Sequence, residues 1–205
     1  MFMIISHKYK FIFIKTRKTA GSSVEKFLLE QLKGTDYIFA GMPPENMPPV
    51  GIEGDHEHVG WKFIKDRFPK EWETYYKFTI ERNSWDKVVS LFYYIKSIKP
   101  KKVKHGFEAF VKSNNKLCFK DDWSLYTDND QIVVDDIIIQ DSINSDMYTV
   151  CKKIGLHYNN ELDNKIRLKG NLRDNTDYKE LYTNETKEIV SLYYKKPIEY
   201  FNFTF

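Results

Sequence analysis

Lys18, Gly21, Ser22 and Ser23 are grouped in the polar stretch Lys15-Thr16-Arg17-Lys18-Thr19-Ala20-Gly21-Ser22-Ser23. The apolar run Phe11-Ile12-Phe13-Ile14 precedes it, and Val24, Phe27, Leu28 and Leu32 follow at helical spacing. A strand, a short basic loop and a helix are therefore expected. The first turn of a helix leaves backbone N–H groups unpaired and carries the positive end of the helix dipole, so a phosphate or sulfate is stabilised there. Gly21 permits close approach of the backbone, Ser22 and Ser23 add hydroxyl donors, and Lys18 adds a mobile positive charge. Ser22 and Glu25 also have the spacing of an ordinary capping box, which needs no ligand. The Walker pattern is absent, which argues against a nucleotide-hydrolysing loop.

A second strand-to-helix junction follows the alternating run Tyr76-Lys77-Phe78-Thr79-Ile80. Its residues are Glu81-Arg82-Asn83-Ser84-Trp85-Asp86-Lys87-Val88-Val89-Ser90, and Val88, Leu91, Phe92 and Ile95 mark the buried face of the helix. Arg82 offers a planar guanidinium fork for phosphate oxygens, and Ser90 a hydroxyl about two helical turns further on. The plainer reading makes Asn83 or Ser84 a helix cap and pairs Arg82 with a carboxylate. Between the two junctions stand His56 and His58 in Asp55-His56-Glu57-His58-Val59, with a short helix expected to begin near His58. Two histidines so placed can ligate a metal, but no other Cys or His cluster has ligand spacing, so no metal is expected.

Lys18-Thr19-Ala20-Gly21-Ser22-Ser23 resembles the 5'-phosphosulfate loop of the sulfotransferases that use 3'-phosphoadenosine 5'-phosphosulfate (PAPS). Arg17 stands where that family usually has proline. Arg82-Asn83-Ser84-Trp85-Asp86-Lys87-Val88-Val89-Ser90 resembles the family's 3'-phosphate motif, with Arg82 and Ser90 on its two phosphate-binding positions; Ser84 replaces a proline and Lys87 an arginine. The resemblance extends to the carbohydrate, heparan-type 2-O-sulfotransferases and their bacterial relatives, in which a His-x-His pair lies between the two motifs. It implies an α/β fold, a P-loop NTPase-like three-layer sandwich with a central, mainly parallel sheet flanked by helices.

The resemblance further implies transfer of a sulfuryl group from PAPS to a hydroxyl of an acceptor, a carbohydrate or small molecule, leaving adenosine 3',5'-bisphosphate. Lys18 would stabilise the developing charge, with the N–H groups of Thr19, Ala20, Gly21, Ser22 and Ser23, and Arg17 beside them, around the 5' end. His58 would be the base and His56 its assistant, since a near-neutral side chain suits that proton transfer. A basic loop in the family closes over the nucleotide, which nominates Lys165, Arg167, Lys169 and Gly170. Two other readings remain: a nucleotide kinase of related fold, for which Asp141 at a strand end would hold magnesium, and a non-catalytic adenosine-bisphosphate binding module.

The elements that must position these groups fit one domain over residues 1–205, long enough to bury most of a single core. Aromatic residues make up 16% and the formal net charge is only +3, which favours a folded globule with a local basic site over a general nucleic-acid binder. Cys118 and Cys151 are two and far apart, so no disulfide framework is expected. The N-terminal apolar run is too short to span a membrane, and a soluble, cytoplasmic protein is expected. Strands are expected at residues 2–5 and 11–14, a helix from Ser22 to near Gly34, and a Pro/Gly-rich loop over 40–55. The lysine-rich stretch 96–117 reads first as a solvated face, with contact to an acidic acceptor such as a glycan as the alternative. A hairpin turn is expected at Asp128-Asn129-Asp130, a helix over 144–154, a final helix over 184–195, and an aromatic C-terminus packed on the core.

Overall fold

The computed structural model describes residues 3–32, 37–40, 59–113, 118–160, 162 and 177–205. His56, His58, Lys165, Arg167, Lys169, Gly170 and the loop 40–55 thus lie outside the described residues, except that the strand named next includes Ala40. The chain divides into two units, one of residues 1–81 and 122–168, the other of residues 82–121 and 169–205.

The first unit is built on a five-stranded sheet of β1 (Met3–Ser6), β2 (Phe11–Ile14), β3 (Tyr37–Ala40), β4 (Tyr76–Glu81) and β7 (Asp136–Ile139), in the order β3-β1-β2-β4-β7. β2 pairs in parallel with β4, and β4 with β7. β1 is antiparallel to both β2 and β3, so the sheet is mixed. The reason is local: only the tight turn 7–10 joins β1 to β2, and a parallel pairing would need a crossover of a dozen residues or more. β3 was not legible as a strand, since its Tyr-Ile-Phe-Ala core is short and adjoins the Pro/Gly-rich run.

Residues alternate across the sheet, and both faces are buried. On one face Ile4, Phe11, Phe13, Phe78, Ile80 and Ile138 pack with Val24, Phe27 and Leu28 of α1 (Gly21–Gln31) and with Met147, Val150, Cys151 and Ile154 of α6 (Ile143–Ile154). Met3, Ile5, Ile12, Ile14 and Thr79, pointing the other way, are equally buried. This explains why β2 is a continuous apolar run rather than an alternating one. Two short helices, α2 (Trp61–Arg67) and α3 (Pro69–Thr74), lead into β4. A hairpin of β5 (Thr127–Asp128) and β6 (Gln131–Ile132) turns at Asn129 and Asp130, both with positive φ, as a tight primed turn requires. α6 stops at Gly155 in the left-handed conformation.

The second unit is helical. α4 (Ser84–Ile98) contributes Trp85, Val88, Val89, Phe92 and Ile95 to a core shared with α5 (Gly106–Lys112) and α7 (Asn184–Tyr193). The final helix is two: after α7, a further helix α8 spans Lys195–Phe201. The aromatic C-terminus packs on this core, with Phe205 edge-to-face on Trp85 at 5.6 Å and on Tyr182 at 5.4 Å. Among the described residues no helix is long and apolar enough to cross a membrane.

Candidate anion site

The loop from Lys15 to Ala20 joins the buried end of β2 to the first turn of α1, at the C-terminal edge of the parallel strands. Ligands of open α/β sheets gather at that edge. Ala20 occupies the N-cap position of α1 in the left-handed conformation and supplies no side-chain cap, and no acidic residue lies in the first turn. Glu25 does not complete a capping box with Ser22. Its carboxylate instead accepts from Lys15 Nζ at 2.7 Å, with both side chains largely buried. The helix end therefore keeps its positive potential, uncompensated by its own side chains.

The loop is held in a costly shape. Lys18 and Ala20 have φ of 60° and 68°, a region that costs a residue with a Cβ roughly 1–2 kcal/mol. Such strain persists only where surrounding contacts over-determine it. Three do so here. The Thr16 hydroxyl donates to the carbonyl of Ile80 on β4, and lies 2.9 Å from the hydroxyl of Thr19; both threonines are buried. Asp122 accepts from the Arg17 guanidinium at 2.6 Å and from the Arg17 backbone N–H at 3.2 Å. Gly21 packs so tightly on Lys15 that an added Cβ would stand 2.9 Å from Lys15 Cγ.

Arg17 is thus tied to the protein's own carboxylate. The position where the resemblance expects proline gains its rigidity from a charge-assisted pair in which the backbone N–H takes part, which proline lacks. Lys18, Ser22 and Ala20 are half-buried, and Thr19, Gly21 and Ser23 are buried.

Two acids at this edge escaped the sequence reading. Asp122 is 1% exposed and Glu81, the last residue of β4, is 2% exposed. Glu81 accepts from the hydroxyl of Tyr126 at 2.9 Å, and Tyr126 is fully buried. Asp122 and Tyr126 flank one helical turn, Trp123–Leu125, so a single short segment braces both strand exits, β2 through Arg17 and β4 through Glu81. The available signal was a carboxylate closing an alternating strand; nothing local marked Asp122, because its partner is 105 residues away.

In the second unit Arg82 precedes the N-cap of α4 and Ser90 lies within the helix. Arg82 donates from Nε to Asp86 at 2.8 Å and also from Nη2, so the plainer pairing with a carboxylate is present. A guanidinium carries five donors, and this pairing engages one edge of the fork. Asn83 is the helix cap, accepting from the N–H groups of Trp85 and Asp86, and its amide donates to the carbonyl of Thr204 at 2.8 Å. Ser90 is half-buried. Asp141 is exposed on a short turn, while Asp146 caps that turn by accepting from Ile139 N and the Ser142 hydroxyl. Among the described residues no group of three or more His, Cys, Asp or Glu side chains is arranged to hold a metal ion.

No protein-family profile matches the chain, and no solved structure matches it. An uncharacterized protein of Archaeoglobus fulgidus is 38% identical over 110 residues, a stretch that covers 50% of this chain and 86% of that one. By that identity over most of the relative's length, the chain belongs to the same family as this archaeal protein.

Proposed function

We propose that this chain is a PAPS-dependent sulfotransferase that transfers a sulfuryl group to a hydroxyl of a carbohydrate or small-molecule acceptor, on a P-loop NTPase-like fold. The observation that carries the reading is the uncapped N-terminus of α1, reached through a loop whose left-handed residues Lys18 and Ala20 are held by Thr16 and the Arg17–Asp122 pair. A protein of marginal stability retains such strain where the shape is used. The chemistry of these residues fits the 5' end of PAPS: backbone N–H groups at the first turn of α1, a helix dipole and one lysine.

When bound, PAPS supplies an activated sulfuryl group whose S–O bond to the 5'-phosphate breaks as the acceptor oxygen bonds to sulfur. Lys18 and the N–H groups of residues 19–22 would act as fixed donors where negative charge develops, while the N–H of Ser23 donates to the Ala20 carbonyl at 2.8 Å. His58, assisted by His56, would take the proton of the acceptor hydroxyl in this scheme. Arg82 and Ser90 would hold the 3'-phosphate, with Lys165, Arg167, Lys169 and Gly170 as further candidates for nucleotide contact.

The test is incubation with radiolabelled PAPS and a panel of glycans and small alcohols, with and without a chelator. Label transfer that survives chelation and is lost in Lys18→Ala supports the reading. Magnesium-dependent ATP turnover in its place identifies a kinase, and bisphosphate binding without any transfer identifies a binding module.

A further inference from the structure

Gly60 stands at the N-cap position of α2 with φ −87° and ψ 167°, an extended conformation open to any residue. Its backbone therefore does not call for glycine, but its surroundings do. A Cβ there would stand 3.3 Å from Leu125 Cα and 3.4 Å from Leu125 Cδ2, closer than packed side chains ordinarily come. The glycine lets the start of α2 lie directly on the Trp123–Leu125 turn. That turn is the one whose flanking residues, Asp122 and Tyr126, meet Arg17 and Glu81. Residues 122–126 thus touch the chain at three places far from them in sequence: the basic loop after β2, the start of α2 and the end of β4. All of these lie in the first unit.

The segment is itself a rigid piece. The Leu125 N–H donates to the Asp122 carbonyl at 3.1 Å, and the Tyr126 N–H to the Trp123 carbonyl at 3.3 Å. The Trp123 indole N–H donates to Asp130 at 2.9 Å and the Thr127 hydroxyl to the Trp123 carbonyl at 2.8 Å, which ties the turn to the β5–β6 hairpin. The Val133 N–H adds a bond to the Tyr126 carbonyl at 3.1 Å. Trp123 and Tyr126 meet edge to face at 5.5 Å, and both are buried, as is Asp122. A close-packed piece held at so many points passes on a push at one contact to the others.

We infer that Asp122–Tyr126 is the positioning element of the basic loop and that Gly60 and Leu125 form its seat. The seat fixes the turn, the turn fixes the Asp122 carboxylate, and the carboxylate fixes Arg17 and with it the left-handed Lys18 beside it. Gly60 and Leu125 act through Asp122 and are positioning residues, not catalytic ones. The identity of the anion rests on the reading above; the linkage from Gly60 to the loop does not.

The experiment compares Gly60→Ala and Gly60→Val, in the full chain, with Val190→Ala, a truncation of a fully buried residue in the helical unit. Loop order is read by hydrogen–deuterium exchange of peptides spanning residues 15–23, stability by urea unfolding, and affinity by calorimetric titration with adenosine 3',5'-bisphosphate. Expected are faster exchange in the loop and affinity weakened about threefold in Gly60→Ala and about tenfold or more in Gly60→Val, against less than about twofold in Val190→Ala at equal or greater loss of stability. Should Gly60→Val fold poorly, Gly60→Ala carries the comparison. Loop exchange that is unchanged in the glycine variants, or equally fast in Val190→Ala, overturns the inference, and so does a loosened loop whose affinity for the bisphosphate is undiminished. A wild-type chain that binds no bisphosphate while its glycine variants show the loosened loop supports the linkage and overturns the transferase reading.

Discussion

Arg17 and Asp122, 105 positions apart, meet through two hydrogen bonds, one from the guanidinium and one from the backbone N–H of Arg17. This pair converts a basic loop of flexible composition into one of fixed shape. It also means that the loop's electrostatics are set by a residue from a distant segment.

Asp122→Ala is expected to destabilise the protein by about 3–5 kcal/mol, because it removes the carboxylate that meets the largely buried Arg17 charge. Asp122→Asn keeps the acceptor for the backbone N–H and is expected to cost less. Denaturant unfolding ranks the two, and a parallel titration with adenosine 3',5'-bisphosphate shows whether affinity follows.

Gly21→Ala is expected to cost about 1–3 kcal/mol, since the new methyl would stand 2.9 Å from Lys15 Cγ and displace the lysine from Glu25. In a Lys15→Ala background the same change is expected to cost less. A double-mutant cycle measures the coupling, and additivity would contradict the packing argument.

On the proposed activity, Lys18→Ala is expected to lower sulfuryl transfer by about two to three orders of magnitude. The fold should be little affected, because the strain of the left-handed position does not depend on the side chain's length. Single-turnover kinetics and a melting curve together make the check.

Tyr126→Phe removes the donor to Glu81 and leaves a buried carboxylate oxygen short of a partner, with an expected loss of about 1–3 kcal/mol. Replacement of Glu81 by glutamine retains an acceptor and should be milder. Thermal unfolding of both variants tests the order.

Burial pushes the Cys118 thiol up to about 12. A thiol whose folded value lies above its unfolded value of 9.0 keeps its proton longer in the native state, so the stability it contributes is complete below pH 9 and lost as pH climbs toward 12. Cys118→Ala is expected to flatten the alkaline decline in stability, read by urea unfolding at pH 8, 9 and 10. Burial also raises the Tyr182 hydroxyl, so part of the decline persists.

Local pattern alone determined most of the elements: the apolar run of β2, the alternation of β4, the helical spacing of α1, α4 and α6, the Asn129-Asp130 turn and the stop at Gly155. Each of these is decided by neighbours a few residues away, through side-chain periodicity and backbone preference. The position of the basic loop between β2 and α1 was legible for the same reason. The antiparallel insertion of β1, the choice of Lys15 over Ser22 as partner of Glu25, the Arg17–Asp122 clamp and the burial of Glu81 against Tyr126 were decided only in three dimensions. A charge has no periodicity to reveal its partner, and whether Glu25 caps a helix or neutralises a lysine depends on which group the folded chain brings within hydrogen-bonding reach.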